Sequence, residues 1–401
     1  MRVLLANKFL YPKGGAERAV LDLGEGLRRR GHQVFWFGMD HPDNVVPSQA
    51  SAVVRHRDYR SGGLGRYRDA VAMVHSTRAR DCLARFLEQV SPDVVHAHNI
   101  YHQLTPTILD ATQQAGIPVV MTLHDYKLVC PRYDLLRHGQ LCDRCVEAGP
   151  LECLRHRCAG SWGASLLLTC EAVFHRQRGS YDAVRRFVTP SRFLRHVMIR
   201  GGWDATRLHH LVNFAPAFVQ ANDDPGEPDR FLFAGRLSAE KGIETLLQAV
   251  EGLTHGRLVV CGSGPLEERV RQAARRHDSN IEWKGHVSRE DLAREITRCR
   301  FVVVPSEWFE NAPFAVLEAM AAGRAVLASR IGGLPELVDE STGCLLPAGD
   351  VGAWSAALEQ ALSSPERMQR LGRGAIQRAR ALYDFEHHLD AVLELYDEVS
   401  S

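Results

Sequence analysis

The sequence predicts an α/β fold built from two doubly wound, Rossmann-like domains facing across a cleft. Three observations carry that prediction. Short β-branched runs alternate with helical stretches, the sequence form of a parallel sheet covered by helices on both faces. The alternation breaks once, at the polar, turn-rich segment "VQANDDPGEPDR" (219–230), and then restarts. At 401 residues the chain is also long enough for two or three separate cores.

In the first half, "VLLAN" (3–7), "QVFWFGM" (33–39), "DVVHAHN" (93–99), "VVMTLHD" (119–125) and "RFVTPS" (186–191) predict buried strands. Helical patterns fall between them at 15–30, 66–90 and 103–115. "RRRGH" (28–32) reads as a helix C-terminus in water, its dipole complemented by arginine. This gives a first domain over 1–215 with a Cys-rich insertion at 130–160, then a linker over 216–230. The second domain, 231–382, repeats the pattern with "FLFAGR" (231–236), "RLVVCGSG" (257–264), "IEWKGHV" (281–287), "FVVVPS" (301–306), "AVLASRIGG" (325–333) and "GCLLPAG" (343–349). The last segment, 383–401, is amphipathic, with Phe385, Leu389, Val392, Leu393 and Tyr396 along one stripe, and is expected to pack back on the first domain.

The totals exclude several classes. Hydrophobic content of 45% and charged content of 24% are ordinary for a globular protein. No stretch approaches ~18 uninterrupted apolar residues, and the N-terminal apolar run is too short for a signal peptide, so a cytoplasmic location is expected. The net charge of +1 hides an asymmetry: residues 1–215 hold 29 Lys+Arg against 19 Asp+Glu, and the remainder 20 against 29. A basic first half suits an anionic partner, such as a phosphorylated substrate or the inner face of a membrane, or else a solvated Arg-rich surface. No nucleic-acid partner is expected.

Candidate chemistry gathers where strands end. "GRLSAEKG" (235–242) follows a strand directly and offers Arg236 and Lys241 at the sheet's carboxyl edge, suited to a diphosphate gaining charge as it leaves. "YPKGGAERA" (11–19) is the matching feature of the first half, where Gly14 and Gly15 open a helix and let backbone N–H groups approach an anion. A dinucleotide fingerprint is missing, because "CGSGPLEE" (261–268) has Glu267 where the third glycine belongs, and there is no P-loop. Nor does an Asp-x-Asp follow any strand. Glu310 and Glu318 stand eight positions apart with Pro313 between them; at about 100° per residue one helix would leave them off register. Pro313 instead predicts a helix start, with Glu310 in the preceding loop and Glu318 in the second turn. The two carboxylates could hold two sugar rings through vicinal hydroxyls, or act as the acid and base of a glycosidase. A hydrolase has no need of the Arg/Lys pair. Phosphate plus two sugars points to a nucleotide sugar.

The runs "FAGRLSAEKGIETLLQAV" and "FENAPFAVLEAMAAGRAVLASRIGGLPELV", with "GGAE", "VVHAHN" and "TLHDYKLVCPR" upstream, resemble the retaining glycosyltransferases of family 4, which have the GT-B fold. The resemblance implies that Arg236 and Lys241 bind the donor diphosphate, that Glu310 contacts hydroxyls of the transferred sugar, and that Glu318 contacts the ribose. It puts the backbone of Phe314 and Ala315 against the donor, His286 and Val287 near the base, and Gly262 and Gly264 near the nucleoside. Gly14 and Gly15 would flank the phosphates, and His124 would orient the transferred sugar, unless it is a structural histidine at a strand end. The donor would be a UDP- or GDP-linked sugar and the acceptor a glycan or lipid-linked molecule. No catalytic cofactor is implied, since the donor's own phosphate oxygen takes the acceptor proton. One departure is that Asn311-Ala312-Pro313-Phe314 follows Glu310 where the family commonly has a Gly-rich stretch. The rival readings are a nucleotide-sugar-binding protein without turnover and a two-domain nucleotide-dependent oxidoreductase.

Of the ten cysteines, those at 82, 170, 261, 299 and 344 read as core, and Cys130 stands alone before a proline. Cys142, Cys145, Cys153 and Cys158 have C-x2-C and C-x4-C spacing in a segment without a hydrophobic pattern of its own. They are either the ligands of one structural Zn²⁺, with His156 able to substitute, or thiols or disulfides of no chemical role. His96 and His98, two apart on one strand, share a side and read as cleft-lining or core. The segment 159–187 mixes an apolar run with arginines. It is either a packed helix or one that lies on a membrane interface.

Overall fold

The computed structural model describes residues 1–55, 65–216 and 225–401, so the middle of the expected linker, 217–224, lies outside the described residues. The chain divides into two units, Met1–Leu211 with Leu389–Ser401, and Val212–His388. Each is a doubly wound α/β domain, as the alternation predicts.

In the first unit the chain runs β1 (Arg2–Ala6), α1 (Gly15–Arg29), β2 (Gln33–Met39), β3 (Ser51–Val54), α2 (Gly65–Val74), α3 (Thr77–Val90), β4 (Val94–Ala97), α4 (Ile108–Gln114) and β5 (Val119–Thr122). The insertion follows as a two-stranded hairpin, β6 (Leu136–Arg137) and β7 (Gln140–Leu141), and two short helices, α5 (Arg144–Ala148) and α6 (Leu151–Arg155). Then come α7 (Trp162–Gln177), β8 (Val184–Thr189), α8 (Arg192–Arg200) and β9 (Leu208–His210). The sheet order is β3-β2-β1-β4-β5-β8-β9, every pair parallel. Val3, Leu4, Leu5 and Ala6 of central β1 are wholly buried, which is why that strand reads as a continuous apolar run.

Two differences from the sequence reading have local causes. The helix expected over 66–90 is broken, because Ser76 caps α3 by accepting a hydrogen bond from the Ala79 N–H at 3.3 Å. The short strands β3 and β9 were not expected.

The second unit runs β10 (Arg230–Ala234), α9 (Ile243–Glu251), β11 (Arg257–Cys261), α10 (Glu267–Ala274), β12 (Ile281–Gly285), α11 (Arg289–Arg298) and β13 (Phe301–Val304). It continues through α12 (Phe314–Ala321), β14 (Ala325–Ser329), α13 (Leu334–Leu337), β15 (Gly343–Leu346), α14 (Val351–Leu362) and α15 (Pro365–Leu382). Its parallel sheet has the order β12-β11-β10-β13-β14-β15, the Rossmann order. One layer packs Leu232, Val302, Val316, Leu317 and Met320 on one face of the sheet, and a second packs Phe231, Leu246, Phe301 and Trp354 on the other.

The last helix, α16 (Phe385–Ser400), begins in the second unit, where Phe385 meets Phe214 edge-on at 4.6 Å, and continues in the first. There the Tyr396 hydroxyl is hydrogen-bonded to His96 Nδ1 at 2.7 Å and Arg185 donates to the Val399 carbonyl at 2.5 Å. The buried stripe is Leu389, Val392, Leu395, Tyr396 and Val399; Leu393, expected on it, is only half-buried, since Leu395 and Val399 continue the row more closely.

Candidate functional site

In the second sheet the order of connection reverses between β10 and β13, and such switch points open a crevice at the strands' carboxyl ends. The loop 235–242 leaves β10 there and the loop 305–313 leaves β13. Arg236, Lys241 and Glu310 therefore share one sheet edge, although 69 positions separate Lys241 from Glu310.

Lys241 Nζ donates to Glu310 Oε1 at 2.6 Å, and the Ser306 hydroxyl donates to the same oxygen, also at 2.6 Å. Oε2 accepts no hydrogen bond among the described residues, although Glu310 is only 5% exposed. The Lys241 ammonium also sits 4.9 Å over the Trp308 ring. Arg236, in contrast, is exposed and has no ion-pair partner among the described residues. The two loops are locked together: the Glu307 N–H donates to the Glu240 carbonyl at 2.9 Å and the Thr245 hydroxyl to Glu307 Oε1 at 2.5 Å. Gly242 has φ +69° and a Cβ there would meet the Pro305 carbonyl oxygen at 1.8 Å, so only glycine allows the approach. The Glu310 carbonyl in turn accepts from the Gly333 N–H at 2.7 Å, which ties the loop after β14 to the same edge.

The neighbouring loops extend this edge. A Cβ on Gly262 would lie 1.9 Å from the Gly235 carbonyl oxygen, and the Leu237 N–H donates to the Ser263 carbonyl at 3.0 Å. Gly262 donates to the Gly285 carbonyl at 2.7 Å, so the loops after β10, β11 and β12 interlock, Gly264 among them. His286 follows exposed, whereas Val287 packs partly against the core. Pro313 precedes α12 without a side-chain cap, leaving the first N–H groups, including those of Phe314 and Ala315, without that partner. Phe314 rests against Phe214 at 5.7 Å. Glu318 lies in the second turn, as Pro313 predicts, and is 3% exposed. Ser306 and Trp308 were missed by the sequence reading; only their place between the strand end and Glu310 signals them.

In the first unit Gly14 precedes α1 and Gly15 begins it. Glu17 in that first turn is buried, and burial raises its pKa against the opposing pull of Lys8 and Lys13. His124 Nε2 is hydrogen-bonded to His98 Nδ1 at 3.0 Å, and the rings of His124, His98 and His96 stack in series. His96 is anchored by Tyr396 and by Thr122 at 2.8 Å, which makes it structural. Burial pushes the His124 imidazole down to about 4, so it is neutral at physiological pH and suited to hydrogen bonding, not to proton donation. Asp125 beside it is pushed up to about 6, also by burial.

The insertion gathers Cys145, Cys153 and Cys158 into one buried cluster, with Cys142 half-buried at its edge. Burial raises the Cys145 thiol and pushes Cys153 up to about 12. Among the described residues no three His, Cys, Asp or Glu side chains stand as a ready-made metal-ligand group. His156 is engaged by Glu152 at 3.1 Å. Of the cysteines read as core, Cys261 and Cys299 are buried and Cys82 and Cys344 half-buried, but Cys170 is exposed, because α7 turns a polar face inward.

The family model described as Glycosyltransferase Family 4 matches residues 13–215, and the one described as Glycosyl transferases group 1 matches residues 215–378. The chain is 29% identical over 314 residues to glycogen synthase of Mycobacterium tuberculosis, covering 76% of this chain and 68% of that protein. It is 27% identical over 338 residues to α-maltose-1-phosphate synthase of Mycolicibacterium smegmatis, covering 77% and 79%. Among solved structures it resembles sucrose-phosphate synthase of Thermosynechococcus elongatus, with a TM-score of 0.74, 20% identity and 99% and 98% of the two chains covered. HepE of Anabaena in complex with UDP gives a TM-score of 0.71 at 15% identity over 99% and 100%.

Proposed function

The chain belongs to glycosyltransferase family 4, and from that premise we propose that it moves a sugar from a nucleoside-diphosphate donor, UDP- or GDP-linked, to a glycan or lipid-linked acceptor. The transfer retains the anomeric configuration and serves surface-polysaccharide or glycoconjugate synthesis. The observation that carries this reading is the Glu310 carboxylate, buried, held on one oxygen by Lys241 and Ser306, with its other oxygen free to accept. Structural relatives solved with UDP and with ADP support the donor class.

In the proposed reaction the bond between sugar C1 and the diphosphate oxygen breaks, and its electron pair leaves with the diphosphate. Lys241, held by Glu310, and the exposed Arg236 take up that charge, the kind of stabilisation worth most in a site that excludes water. The acceptor oxygen bonds to C1 on the same face, and its proton passes to the departing phosphate oxygen. Glu310 Oε2 accepts from hydroxyls of the transferred sugar and Glu318 from those of the ribose. Phe314 and Ala315 offer backbone N–H groups at the positive end of α12. Gly262 and Gly264 take the nucleoside, and His286 and Val287 the base. In the first unit, Gly14 and Gly15 take phosphate and a neutral His124 orients the sugar.

Calorimetry with UDP, GDP and NAD tests this directly. One of the two nucleoside diphosphates binds and NAD does not, and Lys241→Met weakens that binding by about tenfold or more. Preference for NAD would overturn the reading, and a panel of sugar nucleotides assayed for turnover then names the donor. The cysteine cluster is proposed as a structural zinc site apart from this chemistry on its spacing and on the shared burial of Cys145, Cys153 and Cys158, whose side chains would have to shift to form a ligand group. Metal analysis of purified protein then finds about one zinc per chain; far less leaves the cysteines as thiols.

A further inference from the structure

Helix α7 is inside out. Its buried face carries Ser165, Thr169, Glu171 and His175, while Trp162 is 58% exposed, Leu166 49% and Phe174 37%, with Cys170 also exposed. Positions 162, 166, 170 and 174 follow one another at four-residue spacing, so they form a single stripe. Most of the inward face is hydrogen-bonded, although Glu171 Oε1 is buried without a hydrogen-bond partner among the described residues. Glu171 accepts from Lys127 at 2.7 Å, His175 is hydrogen-bonded to Ser180 and to the Val74 carbonyl at 2.8 Å each, and Ser165 accepts from the Ala159 N–H at 3.1 Å. Leu151 of the adjoining α6 is 61% exposed as well.

We propose that this stripe is a docking surface for an anionic lipid bilayer. Charge argues for that occupant. The Arg157 guanidinium lies 5.3 Å over the Trp162 ring at one end of the stripe, and Arg178 lies 6.0 Å over Phe174 at the other. Arg178 is also paired with Asp110 at 2.7 Å, whereas Arg157 is exposed. The one acidic residue of α7, Glu171, is buried, so the stripe itself presents no carboxylate. Aromatic and aliphatic side chains between two arginines match the boundary between acyl chains and phosphate headgroups, where Trp settles and guanidinium binds phosphate. A symmetric contact with a second copy would set the same arginine-bearing stripe against itself. Sixteen residues span only about 24 Å, and among the described residues no helix is long and apolar enough to cross a membrane. The helix therefore lies in the interface plane. This inference does not rest on the donor-site reading.

Flotation of the full chain with vesicles tests it, using phosphatidylcholine alone and phosphatidylcholine mixed with phosphatidylglycerol. The protein floats with the mixed vesicles and not with phosphatidylcholine, and high salt releases it. Leu166→Glu abolishes flotation and Arg157→Glu weakens it by about fivefold or more, while circular dichroism shows both variants folded. Absence of flotation with the mixed vesicles overturns the proposal, as does flotation unchanged by Leu166→Glu. A dimer that Leu166→Glu splits, seen by sedimentation without lipid, would assign the stripe to a second copy and overturn it equally.

Discussion

Glu310 lies in the loop at the sheet edge and Glu318 in the second turn of α12, and the roles proposed for them separate what each substitution should do. Glu310 shares a hydrogen-bonded contact with Lys241 and Ser306, so Glu310→Gln removes a charge the lysine needs and perturbs the diphosphate grip as well as the sugar. Turnover should fall by about 10²–10³-fold, with nucleoside-diphosphate affinity changed too. Glu318→Ala should instead raise the donor KM by about 10–100-fold, the worth of hydrogen bonds to a charged group. Steady-state kinetics with the donor found above checks both, and near-normal values for Glu318→Ala would remove its assigned role. These four polar positions, 236, 241, 310 and 318, were singled out in the sequence because charged residues near strand ends stand out from an apolar run. Ser306 and Trp308 were not, since a serine or tryptophan in a loop carries no spacing signal until the partner across the loop is known.

At the level of elements, the site depends on two loops pressed together with no room for a side chain. Gly242→Ala must either leave φ +69° or displace the Pro305 carbonyl, and the left-handed conformation alone costs about 1–2 kcal/mol. Thermal unfolding should come at a lower temperature and transfer should be slowed, because Lys241 is carried on the loop that moves. Unchanged melting and kinetics together would show that the loops separate freely. Strand and helix order was readable from the alternation of apolar runs, and Pro313 marked the start of α12 correctly. The facing of α7 was not readable. Its sequence is apolar on much of its circumference, and partners outside the helix, among them the distant Lys127 and Val74, hold the polar side inward.

For the molecule as a whole, buried histidines set the response to acid. Burial pushes His102 down to about 3 and His124, His175 and His388 down to about 4. In the unfolded chain each titrates near 6.5, so between about pH 6.5 and about pH 4 unfolding takes up protons that the folded form refuses. Their stabilising effect is thus complete above about pH 6.5 and is lost as the pH falls. Asp125, pushed up to about 6, binds its proton while folded and offsets part of this. The melting temperature should drop on going from about pH 7.5 to about pH 5, and a flat or rising profile by calorimetry would contradict the burial of these imidazoles. The restart of the alternation after 219–230 suggested two units, whereas the units divide at Leu211/Val212, and the return of residues 389–401 to the first unit rested on an amphipathic stripe that names no partner. That return has a consequence for biosynthesis. A ribosome makes every residue of the second unit before it makes Tyr396, so His96 waits through that whole interval for its hydroxyl. The nascent first unit must persist unfinished, and removing the last dozen residues would harm the part of the protein that was translated first.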